Sequence, residues 1–268
     1  MAMVKKRILT YWHVWRLLAS NAVKETFVNR GTNALFLFGK VIRLTMSLVF
    51  LFIFVKTVPV FAGFSTDQLY VFFITFTLID QISQMLLRGV YLFTNLVRRG
   101  EFDFILTKPI SSLFLSLIGS PDINDAIFLI PTVIVSGFLL STLDLTVTPI
   151  SLLLYIALFI NGLLIATAFH ITALIVGILT TEVDGVMWLY RDLSRLATFP
   201  VTIYFPPIPF FLFFIVPVGT MVTIPSQVLI GMPTTYHIAL AFFIGIGSFL
   251  LSLYGWKYAL RSYTSASS

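Results

Sequence analysis

From residue 150 to residue 179 the chain carries no aspartate, glutamate, lysine or arginine. A helix needs roughly 20 predominantly apolar residues to cross a bilayer, and this block exceeds that. Backbone groups in hydrocarbon must be satisfied within the segment, so the block is expected to be helical. Further apolar blocks recur along the chain, with most charges gathered between them. The 268 residues are 58% hydrophobic and 10% charged, with mean hydropathy +1.00. A soluble domain carries about 25% charge, so lipid must be the solvent for much of this protein. The expected fold is an all-α integral membrane protein.

Read in order, residues 1–32 make a cytoplasmic N-terminus with an amphipathic interface helix. Trp12, Trp15 and Leu18 recur at helical spacing, and His13, Arg16, Ser20 and Lys24 form a polar stripe. A six-span domain follows over 33–258. The first span is 33–56, with Lys40 and Arg43 on one face toward its inner end. The second is 68–93. Asp80 and Gln84 lie near its mid-depth, four apart, on a face that suits a pathway or a subunit interface as well as internal hydrogen bonding.

The third span, 123–141, opens with Asp122 and Asp125, where the helix dipole favours acids. The fourth is 150–179. Its lone His170 has no second ligand at metal spacing and reads as a packing residue. The fifth is the aromatic block 201–218, interrupted by Pro206, Pro207 and Pro209. Residues 218–235 are uncharged yet rich in Gly, Pro, Ser and Thr, which suits a re-entrant segment packed against protein. The sixth span runs from Tyr236 to Tyr258, with Gly245, Gly247 and Ser248 as a narrow face. Residues 259–268 form a cytoplasmic tail.

Two charged islands interrupt this pattern. The first, within a loop over 94–120, sets Arg98, Arg99, Glu101, Asp103 and Lys108 among Phe102, Phe104, Ile105 and Leu106, ahead of Pro109. Its charges reject lipid and its apolar residues want burial, so a short amphipathic helix between the membrane and a soluble partner is expected. The second, over 180–199, sets Arg191 and Arg195 beside Met187 and Trp188, and reads as another cytoplasmic interface helix. Basic residues fall almost wholly on segments assigned to the inside, which puts both termini in the cytoplasm.

The chemistry that is missing narrows the function. No G-x-x-x-x-G-K-[ST], H-E-x-x-H or G-x-S-x-G pattern occurs. Glu101 and Asp103, two apart on a helix, diverge by about 200° and make a poor catalytic pair. The chain has no cysteine, hence no disulfide and no thiolate metal site. Its net charge of +6 suits an anionic inner leaflet rather than nucleic acid. Lys5, Lys6 and Arg7 could imitate the start of a signal peptide, but the stretch after them carries Arg16, Lys24 and Glu25, so a signal peptide is not expected. An enzyme is not expected, and any ATPase must be another polypeptide.

Three stretches carry a family resemblance: Gly100 through Pro109, Phe199 through Tyr204 with Ile224-Pro225 beyond it, and Arg261 through Ala266. In order and spacing they resemble the cytoplasmic signature, second pattern and basic-aromatic-serine ending of ABC-2 type permeases. The similarity is to the small bacterial six-helix group that includes viologen-exporter-like components, and it covers nearly the whole chain. That group often has Leu where this chain has Phe102 or Phe104. The resemblance implies a coupling helix after span two that seats Glu101 to Pro109 in a cytoplasmic ABC ATPase dimer. ATP and Mg would be bound by that partner, with no cofactor on this chain. It also implies a second permease subunit, identical or homologous, and outward transport across the bacterial plasma membrane. The aromatic, charge-poor interior suggests an amphiphilic or hydrophobic substrate. A secondary transporter and a non-transporting membrane scaffold are the alternative readings.

Overall fold

The computed structural model describes residues 2–57, 60–61, 63–119, 121–232 and 235–264. The end of the tail, 265–268, lies outside the described residues. Helix α1 (Ala2–Val28) leads almost without a break into α2 (Arg30–Thr57). A short antiparallel pair, β1 (Val60–Phe61) and β2 (Phe64–Ser65), follows. Then come α3 (Thr66–Leu86), α4 (Gly89–Arg98), α5 (Phe102–Leu106), α6 (Ser112–Ile118), α7 (Ile123–Thr142) and α8 (Pro149–Thr180). The last third holds α9 (Asp184–Arg195), α10 (Ile208–Phe210), α11 (Val218–Leu229) and α12 (Thr235–Arg261). A π-helix over Phe211–Ile215 extends α10.

Local chemistry sets the helix starts. Ser65 and Gln68 form a reciprocal cap on α3, and Thr148 with Ser151 does the same for α8, ahead of Pro149. Asp122 caps α7, accepting from the backbone N–H groups of Asn124 and Asp125 at 2.9 and 3.1 Å. One acid expected in the first turn is thus the cap itself. The other, Asp125, is buried and ion-paired with Lys40 of α2. Arg88 approaches Asp122 at 3.6 Å. These pairs tie α2 and the α3–α4 junction to the start of α7.

Helix α8 is the central post, packed by α11 and α12. Asn161 donates to the carbonyl of Ala241 at 2.9 Å, with Gly245 one turn further along α12. A methyl group on Gly245 would stand 2.1 Å from Asn161 Oδ1, so a side chain here would have to displace the Asn161 amide. Gly247, expected on the same narrow face, has nothing within 4 Å of a built Cβ.

Among the described residues, five helical stretches are long and apolar enough to cross a membrane: Arg30–Phe54, Thr66–Arg98, Ile123–Thr142, Pro149–Thr180 and Thr235–Arg261. The region between α8 and α12 departs from expectation. Helix α9 starts where Val183 N–H donates to Thr94 Oγ1, and it climbs past His170, whose ring lies 5.4 Å from that of Tyr190. Two short 3₁₀ turns, Leu196–Thr198 and Val201–Ile203, carry the chain on to the hairpin, where Phe199 packs on Phe54 and Phe61 at 5.4 and 6.0 Å. Residues 184–203 therefore lead from the Thr94 end of the bundle to the hairpin end, and their helical rise sums to at most roughly 30 Å, about the thickness of bilayer hydrocarbon. The second charged island is not a helix at one end. It begins a segment that runs along the bundle, called the fifth crossing from here on, although length and composition alone do not mark it as a span.

The aromatic block 201–218 is correspondingly not a span. Its prolines delay helix formation to Ile208, and Ile208–Ile215 meets Val218–Leu229 at 94°. The pair starts near Thr202 at the hairpin end, reaches Pro217 beside Thr172 and Gly255, and returns to Ile230 in the hairpin-end cluster. Both its ends lie at one end of the bundle, which makes it re-entrant. Helix α11 is buried over nearly its whole length, so its backbone is enclosed by protein.

Candidate functional site

Two places gather the candidate residues. The first is the elbow from α4 to α6. Along α4, Val90, Phe93 and Val97 face the core, while Arg98 and Arg99 end the helix in the open. The chain reverses at Gly100, where φ is +69°, a left-handed conformation that favours glycine. Phe102 is then inserted into the protein. Its ring meets Phe93 and Tyr263 edge-on at 5.0 and 5.1 Å, with Trp256 of α12 at 6.3 Å.

The sequence reading puts Phe102 and Phe104 together at a partner contact, and the structure divides them. Phe102 is 0% exposed and Phe104 is 70% exposed. The reason is helical geometry: the 200° that separates Glu101 from Asp103 separates these two rings also. The outward set is Arg98, Arg99, Glu101, Phe104, Lys108 and Pro109. Arg99 and Glu101 stand 3.9 Å apart, and Arg98 pairs with Glu182, just before α9. Both partners of that pair are half exposed, so it registers the two segments at a worth of about 0–1 kcal/mol.

Asp103 turns sideways and accepts a hydrogen bond from the Tyr263 hydroxyl at 3.0 Å. Burial, and then the neighbouring carboxylate, push the Tyr263 phenol up to about 12. The elbow is also touched from the N-terminal side. Tyr11 of α1 lies edge-on to Phe114 at 4.8 Å, and its hydroxyl accepts from Ser111 N–H at 3.2 Å.

The second place is a cavity of about 500 Å³ between α2, α3, α7 and the fifth crossing. Arg43, Asp80, Arg191 and Arg195 line it, with Phe50, Phe73, Phe76, Phe128 and Phe199 around them. Asp80 accepts from Gln84 Nε2 at 2.7 Å and faces Arg43 at 3.7 Å. Asp80 lies about 20 Å along α3 from Thr66, and Arg43 about 20 Å along α2 from Thr57. Their pairing agrees with these equal depths. Sequence reasoning found Asp80 and Gln84 but placed Arg191 and Arg195 elsewhere. Of the remaining residues of that island, Met187 is buried against the chain's own core and Trp188 is 61% exposed.

A family model described as ABC-2 family transporter protein matches residues 41–267. The chain belongs to that family. This ABC-2 protein is accordingly a multi-pass membrane permease, the membrane component of an ABC transporter rather than its ATPase, and the family associates with an ABC ATPase. The match takes in the elbow, the fifth crossing, the re-entrant pair and α12, and leaves α1 outside it. Among curated proteins and among solved structures, nothing matches the chain. Among the described residues no cluster of His, Asp and Glu could hold a metal ion.

Proposed function

We propose that this ABC-2 permease is one half of an ATP-driven exporter in a bacterial inner membrane, with both termini in the cytoplasm. A second permease subunit completes the pathway. A dimer of cytoplasmic ATPases, binding ATP and Mg, drives it through the elbow.

The observation that carries this reading is the division of the two phenylalanines. Phe104 stands outward among Arg99, Glu101 and Lys108, as an aromatic anchor within a charged rim would. Phe102 reaches inward to Phe93 and Trp256. A displacement imposed on α5 by nucleotide-driven closure of the ATPases is therefore delivered to both the α3–α4 arm and α12. These two helices flank α8, so the two-state switch at the ATPase biases the packing of the bundle.

The test is reconstitution of the permease with the ATPase encoded beside it, reading complex yield and ATP hydrolysis together. The proposal expects a stable complex whose hydrolysis changes on permease binding. Absence of a complex at native expression, with the permease properly inserted, would remove it.

A further inference from the structure

The cavity at Arg43 and Asp80 has a charge pattern that the elbow does not explain. Three guanidinium groups face it or its rim, against two carboxylates. Arg43 is opposed by Asp80 at 3.7 Å, and Arg195 by Asp192 at 3.1 Å. Arg191 has no ion pair among the described residues, and its guanidinium lies 5.9 Å from the Trp188 ring centroid. Gln81, also in the lining, is 6% exposed, and its side-chain nitrogen has no hydrogen-bond partner in the structure. A buried donor left unpaired costs about 1–3 kcal/mol, so this wall is short of an acceptor.

Position sharpens the point. Cationic side chains facing acyl chains at this depth cost about 2.5–3.5 kcal/mol each at the centre of a span. Arg43 and Arg195 remain more than half exposed in the single chain. Their open side must meet water, a second subunit or a ligand rather than hydrocarbon. Next to these donors stand five phenylalanine rings, which suit an aliphatic or aromatic body and have no use for a hydrated ion.

We infer that this cavity binds an amphiphile with an anionic headgroup. Arg191, Arg195 and the Gln81 amide meet the head, and Phe73, Phe76 and Phe128 hold the apolar part. The inference deepens the exporter reading and rests on it for the word substrate, but the binding itself does not depend on the ATPase.

The test uses the full chain purified in a neutral maltoside detergent, without ATPase. Its thermal midpoint is followed during titration with dodecyl phosphate, dodecylphosphocholine and inorganic phosphate. Dodecyl phosphate is expected to raise the midpoint saturably, and the other two are not over the same range. Arg191→Gln and Arg195→Gln should each raise the half-saturating concentration by about fivefold or more, as expected on removing one partner of a charge contact that the bound ligand shields from water. Arg191→Lys should retain binding, and Asp192→Asn should tighten it by freeing Arg195. The Asp192 variant keeps the inference testable if an arginine variant does not fold. Equal stabilisation by dodecylphosphocholine, saturation by inorganic phosphate alone, or unchanged affinity in both Gln variants would overturn it. A normal ATPase complex without amphiphile binding removes this inference and leaves the exporter reading. Amphiphile binding without any ATPase complex does the reverse.

Discussion

The hydroxyl of Tyr263 hydrogen-bonds to Asp103 at 3.0 Å, which joins the segment beyond the last crossing to α5. The Tyr263 phenol is raised from the ordinary tyrosine value of 10.0 to about 12, through burial and then its carboxylate neighbour. A raised acid favours its protonated form in the fold. The contact therefore contributes fully below pH 10 and is lost as pH rises toward 12. At neutral pH the joint is closed.

That linkage gives a spectroscopic prediction. The difference in phenolate absorbance between the parent and Tyr263→Phe should titrate near 12, not near the ordinary tyrosine value of 10.0. A midpoint near 10 would mean that Tyr263 does not hold Asp103.

The two phenylalanines of the elbow should fail in different ways. Phe102→Ala empties a fully buried aromatic site and should cost about 3–5 kcal/mol of stability. Phe104→Ala should leave the thermal midpoint nearly unchanged and weaken ATPase association by about 1 kcal/mol or more. Thermal unfolding in detergent and complex yield separate them. Loss of stability in Phe104→Ala with intact association would reverse the assignment.

The fifth crossing can be tested by accessibility, because the chain has no native cysteine. Cysteines at Gly185 and Phe205 should label from opposite faces of the membrane. Gly185 should label with Arg99, and Phe205 with Ser65 and Thr148. Labelling of both from one face would return α9 to the membrane surface.

The contact of α8 with α12 yields a paired prediction. Gly245→Ala pushes a methyl group into Asn161 and should cost about 1–3 kcal/mol, the usual range for overpacking. Gly247→Ala meets open space and should change stability by less than about 0.5 kcal/mol. Equal midpoints for the two variants would argue against this helix contact.

Most of the bundle was legible because lipid imposes a simple rule on composition. Helices α2, α3, α7, α8 and α12 follow blocks that hydropathy marks directly. The elbow was legible as an amphipathic island, yet which aromatic ring faced the partner needed the helical angle as well as the residue types. The fifth crossing was not legible. Arg191, Asp192 and Arg195 make its first half look aqueous, whereas the cost of their depth is offset by a cavity built from α2, α3 and α7. A local window cannot see that wall. The block 201–218 misled for the converse reason: its phenylalanines suit lipid, but Pro206, Pro207 and Pro209 prevent a continuous helix through it.

The fifth crossing also bears on how the protein is made. An insertion machine that reads segments one at a time would find no reason to place 184–203 in the bilayer. Asp184, Arg191, Asp192 and Arg195 make its stand-alone partitioning unfavourable, while α8 before it and α12 after it partition readily. The last third of the chain is therefore expected to acquire its final topology cooperatively, as the wall of α2, α3 and α7 becomes available to receive the arginines.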